Sequence, residues 1–546
     1  MREDQFDYVI VGAGTAGCVL AARLSEDAAT RVCLIEAGGW DRNPFIHVPA
    51  AVGAAIATPS LNWGFFTTPQ PALDNRRIPI PRGRVIGGSG SINGMAYFRG
   101  QRLDFDDFAQ AGNPGWSYAE VLPYFLRSEN NESYPGSPYH HRGGPMNVKF
   151  VPRPNPMTQV FCEAMKSLGF KQCVDFNAPE PEGYGWRQGT ILNGRRVSTA
   201  TAYLRPALGR PNLKVLTDTT VARIVLSGGR AIGVEVLHAG MTRTISAGTE
   251  VLLSGGAINS PQVLLLSGIG NPRALERHNI PVHVNLPGVG ENLHDHLAVP
   301  VLMEMSNTDS YGISVRTLPR GAWNLLQYAT LRTGPLAGNV FETTAFLKTS
   351  ADQSRANLQM VFQPARRNRS RFPFPLGHGF ALSAVSLYPK SRGRIALSSA
   401  DPRAHPLIDP NLLGDPADMA PLVWGVKLGR RIAASEPFAR YRAHEVQPGP
   451  QTQDDGALEA YVRRAAGTVH HPVGSCRMGI DEMAVVDAQL RVRGVRSLRV
   501  VDASIFPHVV GGNTNAGVVM AAEKAVDMIL GRSAPRPIAA LAAAAN

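Results

Sequence analysis

Three glycines near the start of the chain, Gly12, Gly14 and Gly17, have the spacing of a phosphate-binding turn. Gly12 allows a tight turn, Gly14 lets the backbone approach a pyrophosphate, and Gly17 lets the next helix pack against the preceding strand. Glu36 follows at the distance where a carboxylate can accept hydrogen bonds from a ribose diol. The pattern predicts a dinucleotide-binding site, but it does not distinguish FAD from NAD.

The elements around these glycines support this interpretation over a tight turn without a ligand. The apolar run Tyr8–Val11 indicates a buried parallel strand, and a helix is expected from about Thr15 to Ser25. The positive end of that helix would face the phosphates. A second strand, Arg31–Ile35, leads directly to Glu36.

A second cluster, Pro81–Met95, is rich in glycine and serine around Gly87-Gly-Ser-Gly-Ser91. Such a segment gathers backbone N–H groups and hydroxyls into a concavity that suits a pyrophosphate or the edge of a flavin ring. Asn93 is placed to hydrogen-bond ring heteroatoms. A flexible turn is the alternative, and the N-terminal pattern makes it less favoured.

A third cluster places two adjacent histidines, His470 and His471, before Pro472 and Gly474. The proline and glycine indicate a rigid loop. Asn513 follows in the segment Gly511-Gly-Asn-Thr-Asn515.

Together these motifs resemble the glucose-methanol-choline oxidoreductase family, which binds FAD, over nearly the whole chain. The N-terminal glycines and Glu36 match its FAD-binding turn, and Pro81–Asn93 resembles its first signature. The segments Gly256–Gly270, Leu286–His296 and Pro389–Gly393 are also typical of the family. The chain is similar to bacterial alcohol, sorbose and choline dehydrogenases.

The resemblance implies a mixed α/β fold, with a Rossmann-like FAD-binding domain and an inserted substrate domain of antiparallel sheet plus helices. We expect the FAD-binding domain to comprise residues 1–155, 200–305 and 465–532. The substrate domain would comprise 156–199 and 306–464. Residues 533–546 are low in complexity and are expected to be a disordered tail.

By the same resemblance, His471 falls at the catalytic histidine and Asn513 at its partner position. These residue types suit alcohol oxidation. A neutral imidazole can take the hydroxyl proton, and an amide can donate to the developing alkoxide. The carbinol hydrogen would pass as hydride to flavin N5.

The resemblance also assigns residues to the cofactor site, some through backbone contacts alone. They are Gly12, Gly14, Thr15, Ala16, Gly17, Glu36, Ala37, Arg84, Gly87, Gly88, Ser91, Asn93, Gly94, Met95, Val221, Asp502, Ala503, Asn513 and Thr514. Two positions depart from the family pattern. Gly90 replaces a serine, which removes one hydroxyl, and Ile92 stands where some members attach the flavin to histidine, which predicts non-covalent FAD.

For the substrate pocket we expect His470, Glu342 and Phe65. A glutamate at a similar place faces the substrate cation in choline-oxidising relatives, but relatives acting on uncharged alcohols carry one too. A structural role for Glu342 and a core role for Phe65 are the alternatives.

The composition, 44% hydrophobic and 18% charged, is that of a folded globular protein. There is no uncharged apolar stretch of about eighteen residues that would predict a membrane span. The five cysteines are scattered, which favours a reducing, cytoplasmic setting without disulfides or a metal site.

The net charge of +12 would suit an anionic membrane surface, although a dispersed, solvated basic surface is the preferred interpretation. The one dense cluster, Arg366–Arg371, has no interleaved aromatic residues, so nucleic acid binding is not expected. Peripheral association with the inner membrane is retained as a second location.

The leading hypothesis is FAD-dependent oxidation of a primary alcohol to an aldehyde, with a quinone or dye as electron acceptor. An oxidase that uses O2 is the first alternative, since no motif reports oxygen reactivity. A flavin-containing hydroxynitrile lyase and an NAD enzyme are further alternatives. A pure binding module would leave His471 and Asn513 without a role.

Overall fold

Two seven-stranded sheets organise the chain in the computed structural model, which describes residues 4–366 and 376–538. The first sheet has the strand order Leu213–Leu216, Val32–Ile35, Gln5–Val11, Met241–Leu253, Arg230–His238 and Thr219–Ser227, with Leu498–Val500 paired to Met241–Leu253.

The parallel part of this sheet forms around Gln5–Val11. Its residues Val9 and Ile10 are fully buried, as expected of a strand that is covered on both faces. The next helix, Thr15–Leu24, ends one residue before its predicted end and packs against the C-terminal helix Asn515–Ile529. The predicted Rossmann-like arrangement is therefore confirmed.

Two details of this sheet differ from the sequence-based prediction. The alternating apolar residues of the segments from Leu213 to Ser246 predict an antiparallel meander, but Leu213–Leu216 pairs in parallel with Val32–Ile35. The segments predicted as separate strands near 242–246 and 250–254 form one strand, Met241–Leu253. The exposed Gly248 lies where the pairing on one edge changes from Arg230–His238 to Leu498–Val500, so the polar interruption marks a change of partner.

The pair Ser260-Pro261 predicts a helix that begins with proline at its first position. The helix instead starts at Gly256 and runs to Leu266, so Pro261 lies inside it. Asp502 stabilises its first turn, because one carboxylate oxygen accepts from the Gly256 N–H at 2.8 Å and from Ser260 Oγ at 2.5 Å. Proline cannot donate to the carbonyl of Ala257 one turn earlier. That carbonyl accepts from Ser475 Oγ at 2.6 Å instead, so a side chain replaces the missing backbone donor.

The second sheet is antiparallel. Its strand order is His444–Gln447, Leu297–Glu304, Gly379–Ser386, Leu358–Gln363, Thr343–Leu347 and Gly183–Trp186, with Gly467–Thr468 paired to Leu297–Glu304. Helices Pro156–Ser167 and Met419–Ala433 pack on it, as predicted for the substrate domain. The strand Leu297–Glu304 belongs to this sheet, although it precedes the predicted boundary at residue 305. His296 therefore lies where the chain passes from one half of the molecule to the other.

The remaining elements are short. The other helices are Pro44–His47, Val52–Ala57, Arg102–Gln110, Tyr118–Ser128, Arg205–Ala207, Pro272–Glu276, Leu318–Leu331, Glu436–Ala439 and Asp455–Ala465. The other strands are Phe65–Phe66, Pro79–Ile80, Glu129–Asn131, Met146–Phe150, Gln188–Gly189, Ile191–Leu192, Arg195–Arg196, Ile269–Gly270, Val284–Asn285, Arg394–Ala396 and Leu407–Asp409.

Within the described ranges, no helix has the length and apolar character needed to cross a membrane. The same residues contain no cluster of histidine, cysteine and acidic side chains that could hold a metal ion. The arginine-rich cluster beyond Arg366 and the end of the predicted tail, 539–546, lie outside the described residues.

Candidate active site

One cavity of about 790 Å³ joins the predicted nucleotide-binding turn to the histidine pair. Its lining includes most of the residues expected at the cofactor. They are Gly12, Gly14, Thr15, Ala16, Glu36, Ala37, Gly88, Asn93, Gly94, Met95, Val221, Asp502, Ala503, Asn513 and Thr514. His470 and His471 line the same cavity. Sequence positions up to 500 residues apart thus meet at one site.

The glycine-rich turn has the shape that a pyrophosphate requires. Gly12 has φ +94°, and a Cβ there would lie 2.6 Å from the Ser254 carbonyl oxygen. A Cβ on Gly17 would overlap the carbonyl oxygen of Gly12, so Gly17 sets the close approach of helix to strand. Gly14 precedes the helix without a side-chain cap. The first N–H groups of the helix therefore remain available for an anion.

Glu36 is fixed at the end of its strand by two backbone donors. Its carboxylate accepts from the Ala13 N–H at 2.9 Å and from the Gly38 N–H at 2.8 Å. Burial raises the pKa of Glu36 to about 7, against the lowering effect of those two bonds. Each oxygen retains a lone pair, so the carboxylate can still accept from a ribose hydroxyl.

The second glycine-rich segment packs directly on the first. The Gly87 N–H donates to the Ala13 carbonyl at 2.7 Å, and a Cβ on Gly88 would lie 2.7 Å from Gly14 Cα. Ser91 Oγ donates to the Ile86 carbonyl at 2.8 Å. The two glycine-rich turns therefore form one continuous cradle at the nucleotide end of the cavity.

Four predicted cofactor residues are absent from the cavity lining: Gly17, Arg84, Gly87 and Ser91. Gly17, Gly87 and Ser91 hold the two glycine-rich turns in shape, as their contacts show. The Arg84 guanidinium lies 5.1 Å from the ring centre of Trp63, which does line the cavity. These four residues support the cradle, and their direct contact with the cofactor stays a prediction.

His471 is held on both ring nitrogens. Its Nε2 lies 2.9 Å from Asn513 Nδ2, and its Nδ1 lies 2.9 Å from His296 Nδ1. Its backbone N–H donates to Asp295 Oδ1 at 2.8 Å. The predicted pair of His471 and Asn513 is thus together in the structure, and His296 is an additional partner.

These contacts define where the proton of His471 lies. The Asn513 amide nitrogen is a donor only, so His471 Nε2 must accept. The proton is then on Nδ1 of His471, which donates to Nδ1 of His296. The lone pair of the neutral ring is therefore on Nε2, where it accepts from Asn513, and both residues line the cavity.

The electrostatic environment keeps His471 neutral. Burial lowers its pKa well below the ordinary value of 6.5, and His296, His470, Arg82 and Arg187 act in the same direction. Burial also lowers the pKa of His296 to about 4, partly offset by backbone groups of Leu387 and Val510. A ring that stays unprotonated at neutral pH is able to accept a proton.

Two further titratable side chains lie beside this pair: Asp295 is buried, and Arg82 is half-buried in the cavity lining. Burial raises the pKa of Asp295 to about 7, although the His471 N–H and Arg82 lower it. Arg82 donates to the carbonyl of His470 at 2.5 Å, and His470 itself has the left-handed φ of +69°. This bond fixes the loop that carries both histidines.

Glu342 and Phe65 are not brought to the cavity. The Glu342 carboxylate is buried and accepts from Thr158 Oγ1 at 2.6 Å and from the Asn155 N–H at 2.8 Å. Phe65 stacks behind Trp63 with ring centres 5.5 Å apart. Neither residue is in the described cavity lining, so these contacts favour the structural alternatives, and a role at the substrate stays a prediction.

Sequence reasoning did not single out His296, Asp295 or Arg187. The first two lie in the family-typical segment Leu286–His296, so the signal was present without an assigned role. Arg187 lies in no motif, and only the structure places it in the cavity.

The fold and the cavity are those of a dinucleotide-dependent enzyme, with a buried histidine in the cavity lining. The GMC oxidoreductase family models match residues 6–298 with the N-terminal domain and residues 389–522 with the C-terminal domain. The chain belongs to this family, as its sequence motifs predicted, and is an oxidoreductase.

Two relatives illustrate the similarity in sequence. An alcohol dehydrogenase [acceptor] of Pseudomonas putida is 41% identical over 528 residues, covering 96% of each chain. An oxygen-dependent choline dehydrogenase of Sinorhizobium medicae is 41% identical over 542 residues, covering 97% of this chain and 96% of the relative.

Solved structures confirm the predicted fold. Pyridoxine 4-oxidase from Mesorbium loti has a TM-score of 0.86 at 31% identity, covering 97% of this chain and 100% of the other. An FAD-dependent oxidoreductase from Chaetomium thermophilum has a TM-score of 0.88 at 26% identity, covering 96% and 99%. Formate oxidase from Aspergillus oryzae RIB40 has a TM-score of 0.90 at 26% identity, covering 97% and 99%.

Proposed function

We propose that this enzyme oxidises a primary alcohol to an aldehyde with FAD as cofactor, using His471 as the general base. The observation that carries the proposal is the 2.9 Å contact between His471 Nε2 and Asn513 Nδ2, in the same cavity as the nucleotide-binding turn. When bound, FAD supplies the acceptor for the hydride. The chain's own residues must then position the alcohol and remove its proton.

His471 and Asn513 divide that work. The hydroxyl of the alcohol can donate to Nε2, the unprotonated nitrogen of the neutral ring, in place of the Asn513 amide, which then donates to the alcohol oxygen. As the C–H hydrogen leaves with its electron pair, Nε2 takes the hydroxyl proton and the Asn513 amide donates to the developing alkoxide. His296 accepts from Nδ1 of His471 and so keeps the proton on that nitrogen. The unprotonated nitrogen of His471, Nε2, therefore stays on the cavity side. The carbinol carbon thus loses a hydride and the hydroxyl oxygen loses a proton, and the product is the aldehyde.

The residues present fit FAD at the other end of the cavity. The uncapped helix start after Gly14, the Gly88 cradle and the Glu36 carboxylate supply partners for phosphates and a ribose diol. Ile92 lines the cavity and is 3% exposed. An alkyl side chain forms no covalent link to a flavin, so the proposed FAD is dissociable.

The reduced enzyme must pass its electrons on, and we propose a quinone or dye as acceptor. The similarity to a Pseudomonas putida alcohol dehydrogenase named for its acceptor supports this. The named oxidases among the structural neighbours keep O2 as the alternative. Peroxide yield compared with dye reduction, for one good alcohol, decides between them.

The central experiment is anaerobic addition of alkanols and aryl alcohols to the flavin-loaded protein. We expect loss of flavin absorbance in wild type, and a reduction rate about 10²–10⁴-fold lower in His471→Ala. FAD content should be unchanged in the variant. If no alcohol reduces the flavin, the proposal fails. Cyanide release from mandelonitrile without flavin reduction would favour the lyase alternative.

A further inference from the structure

Arg187 is a buried cation for which the described residues supply no counter-ion. Its side chain is 5% exposed, and its Nε has no hydrogen-bonding partner. No side-chain hydrogen bond or ion pair of Arg187 appears among the described residues, and burial alone lowers its pKa to about 9. A buried guanidinium without a counter-ion is costly to stability, so its presence in a cavity wall calls for a ligand.

The surroundings place Arg187 at the histidine end of the cavity. Its guanidinium carbon lies 5.4 Å from the Phe98 ring centre and 5.5 Å from that of Phe341, which lines the cavity. Phe98 packs in a cluster with Ala298 and Val385, two residues of the second sheet that also line the cavity. Arg187 is close enough to His471 to lower its pKa.

The other charged groups of the described lining already have partners. Arg82 donates to the His470 carbonyl, and Arg366 lies 3.1 Å from Glu304. The two carboxylates of the lining are Glu36, bound by backbone N–H groups, and Asp502. Asp502 is held at the start of its helix. In the described lining, Arg187 is thus the charged side chain that remains available to bind a ligand. No carboxylate of that lining remains available to bind a cationic ligand.

We propose that the alcohol oxidised by this enzyme carries a carboxylate, and that Arg187 binds it. This rests on the proposed function and names its substrate class: hydroxy acids with a primary alcohol at one end and an anionic group at the other. The planar guanidinium, held between two aromatic rings, presents paired N–H donors that match a carboxylate. Apolar residues such as Ala298 and Val385 would contact the carbon frame between the two ends.

The test compares each carboxylate with its neutral methyl ester. The substrates are para-(hydroxymethyl)benzoate and a series of ω-hydroxyalkanoates, with kcat/KM measured using a dye acceptor. Wild type should prefer the carboxylates. Arg187→Gln should lower kcat/KM for them by about 10²–10³-fold, since a charge pair in a buried site loses one member, while the esters change little. Arg187→Lys should keep part of the preference, because the charge remains and the paired donors do not.

A binding measurement supports the kinetics without turnover. Benzoate or an alkanoate should perturb the flavin absorbance of wild type and raise its melting temperature, and both effects should vanish in Arg187→Gln. Arg430→Gln is the matched variant and should keep the carboxylate preference, because Arg430 is paired with Glu445 at 2.8 Å and is not in the described cavity lining. Flavin content checks that each variant is folded.

The outcomes separate this inference from the proposed function. If esters and carboxylates react equally in wild type, or if Arg187→Gln keeps the preference, the inference is wrong while alcohol oxidation stands. If neither class reduces the flavin, the proposed function fails. In that case, binding of benzoate to wild type but not to Arg187→Gln would still establish an anion site at Arg187. Equal binding of benzoate to the two proteins would overturn the anion site.

A second, independent observation concerns the helix Leu318–Leu331, which has no buried residue. It is oriented with its polar side toward the protein: Asn324, Gln327 and Tyr328 are half-buried, and Tyr328 donates to the Gly194 carbonyl at 3.0 Å. We define the apolar helix surface as the exposed side chains of Val315, Leu318, Trp323, Leu325 and Leu326. Such a contiguous exposed apolar surface marks an interaction site.

The charges around this surface indicate which partner it fits. Arg316, Arg320 and Arg332 flank it, and residues 313–334 contain no aspartate or glutamate. A two-fold contact between copies would bring these arginines together without a neutralising acid. An apolar face with tryptophan, bounded by arginines, fits the boundary between headgroups and acyl chains of an anionic bilayer. We infer that the apolar helix surface docks on an anionic lipid membrane.

The test is co-sedimentation of the flavin-loaded enzyme with phosphatidylcholine vesicles, with and without phosphatidylglycerol. Wild type should bind the anionic vesicles, and Leu325→Glu combined with Leu326→Glu should abolish binding without loss of flavin. Met241→Glu is the control, because Met241 is 67% exposed elsewhere on the molecule. Absence of binding in wild type would overturn the inference. So would a change from dimer to monomer in the double variant, because the surface would then join two copies.

Discussion

Nδ1 of His296 lies 2.9 Å from Nδ1 of His471, so the two rings share one proton between like nitrogens. With the Asn513 amide donating to the other nitrogen of His471, the proton belongs to His471 and His296 accepts. His296 therefore acts on the proposed base, His471, by fixing which ring nitrogen of His471 carries the proton. It is a positioning residue at the point where the chain enters the second sheet.

We expect His296→Leu to lower kcat/KM for alcohols by about 10–100-fold, the effect of removing a group that orients an imidazole through its second nitrogen. His296→Gln should retain more activity, because its amide oxygen can still accept from Nδ1. The measurement is the rate of anaerobic flavin reduction across a range of pH. If His296 contributed only packing, both variants would lose the same activity and the pH profile would not change. That result would contradict a role of His296 in fixing the tautomer of His471.

A second prediction concerns the acid side of that profile. Burial and the neighbouring His296, His470, Arg82 and Arg187 hold the pKa of His471 well below 6.5. The ring therefore stays a neutral base as the pH falls through 6.5, and becomes protonated only well below it. With a neutral alcohol, the reduction rate should stay on its plateau through pH 6.5 and fall at lower pH. An inflection in kcat/KM at an ordinary histidine pKa would show that the site does not protect the neutral form.

The nucleotide-binding turn and the histidine pair show which features can be predicted from the sequence. The glycine spacing and Glu36 predicted the first strands, the helix between them and their approach to a dinucleotide, because each step depends on local backbone geometry. The pairing of His471 with Asn513 came from family resemblance alone. No local rule brings together residues 42 positions apart along the chain.

What the sequence did not reveal depends on long-range contacts. Glu342 has the residue type of a cation-binding group, but its carboxylate is used by Thr158 and the Asn155 N–H. Arg187 lies in no motif, and its importance comes from the lack of a counter-ion among the described residues, which only the packing can show. Local sequence places Pro261 at a helix start, whereas it lies inside the helix, because the donor that replaces its missing N–H is the hydroxyl of Ser475, far along the chain.

Choline should be a poor substrate, although choline dehydrogenases are among the similar proteins. The described cavity lining leaves no free carboxylate for its quaternary ammonium group, and Arg187 adds a positive charge near His471. We expect a lower kcat/KM for choline than for its neutral carbon isostere, measured with the same dye. The ratio should rise in Arg187→Gln, as repulsion is removed. A preference for choline over the isostere would contradict this account of the charges.

The nucleotide-binding turn can be tested by adding one methyl group. In Gly17→Ala the new Cβ would overlap the Gly12 carbonyl oxygen, which cannot move without opening the turn. We expect a loss of about 1–3 kcal/mol or more in stability, typical of overpacking, with reduced flavin content by absorbance. Gly209→Ala is the control, because a Cβ at that glycine meets no atom within 4 Å. Equal flavin content in the two variants would remove Gly17 from the positioning of the helix.

The last prediction tests the bond between Ser475 and the helix at Pro261. Ser475→Ala leaves the buried Ala257 carbonyl without a donor, which should cost about 1–3 kcal/mol in the free energy of unfolding. In a Pro261→Ala background the new N–H can reach the same carbonyl, so Ser475→Ala should cost much less there. Urea unfolding of all four proteins gives the coupling free energy directly. If Ser475→Ala costs the same in both backgrounds, the hydroxyl is not the replacement for the proline's missing donor, and the loop that carries His471 is held to this helix by other contacts.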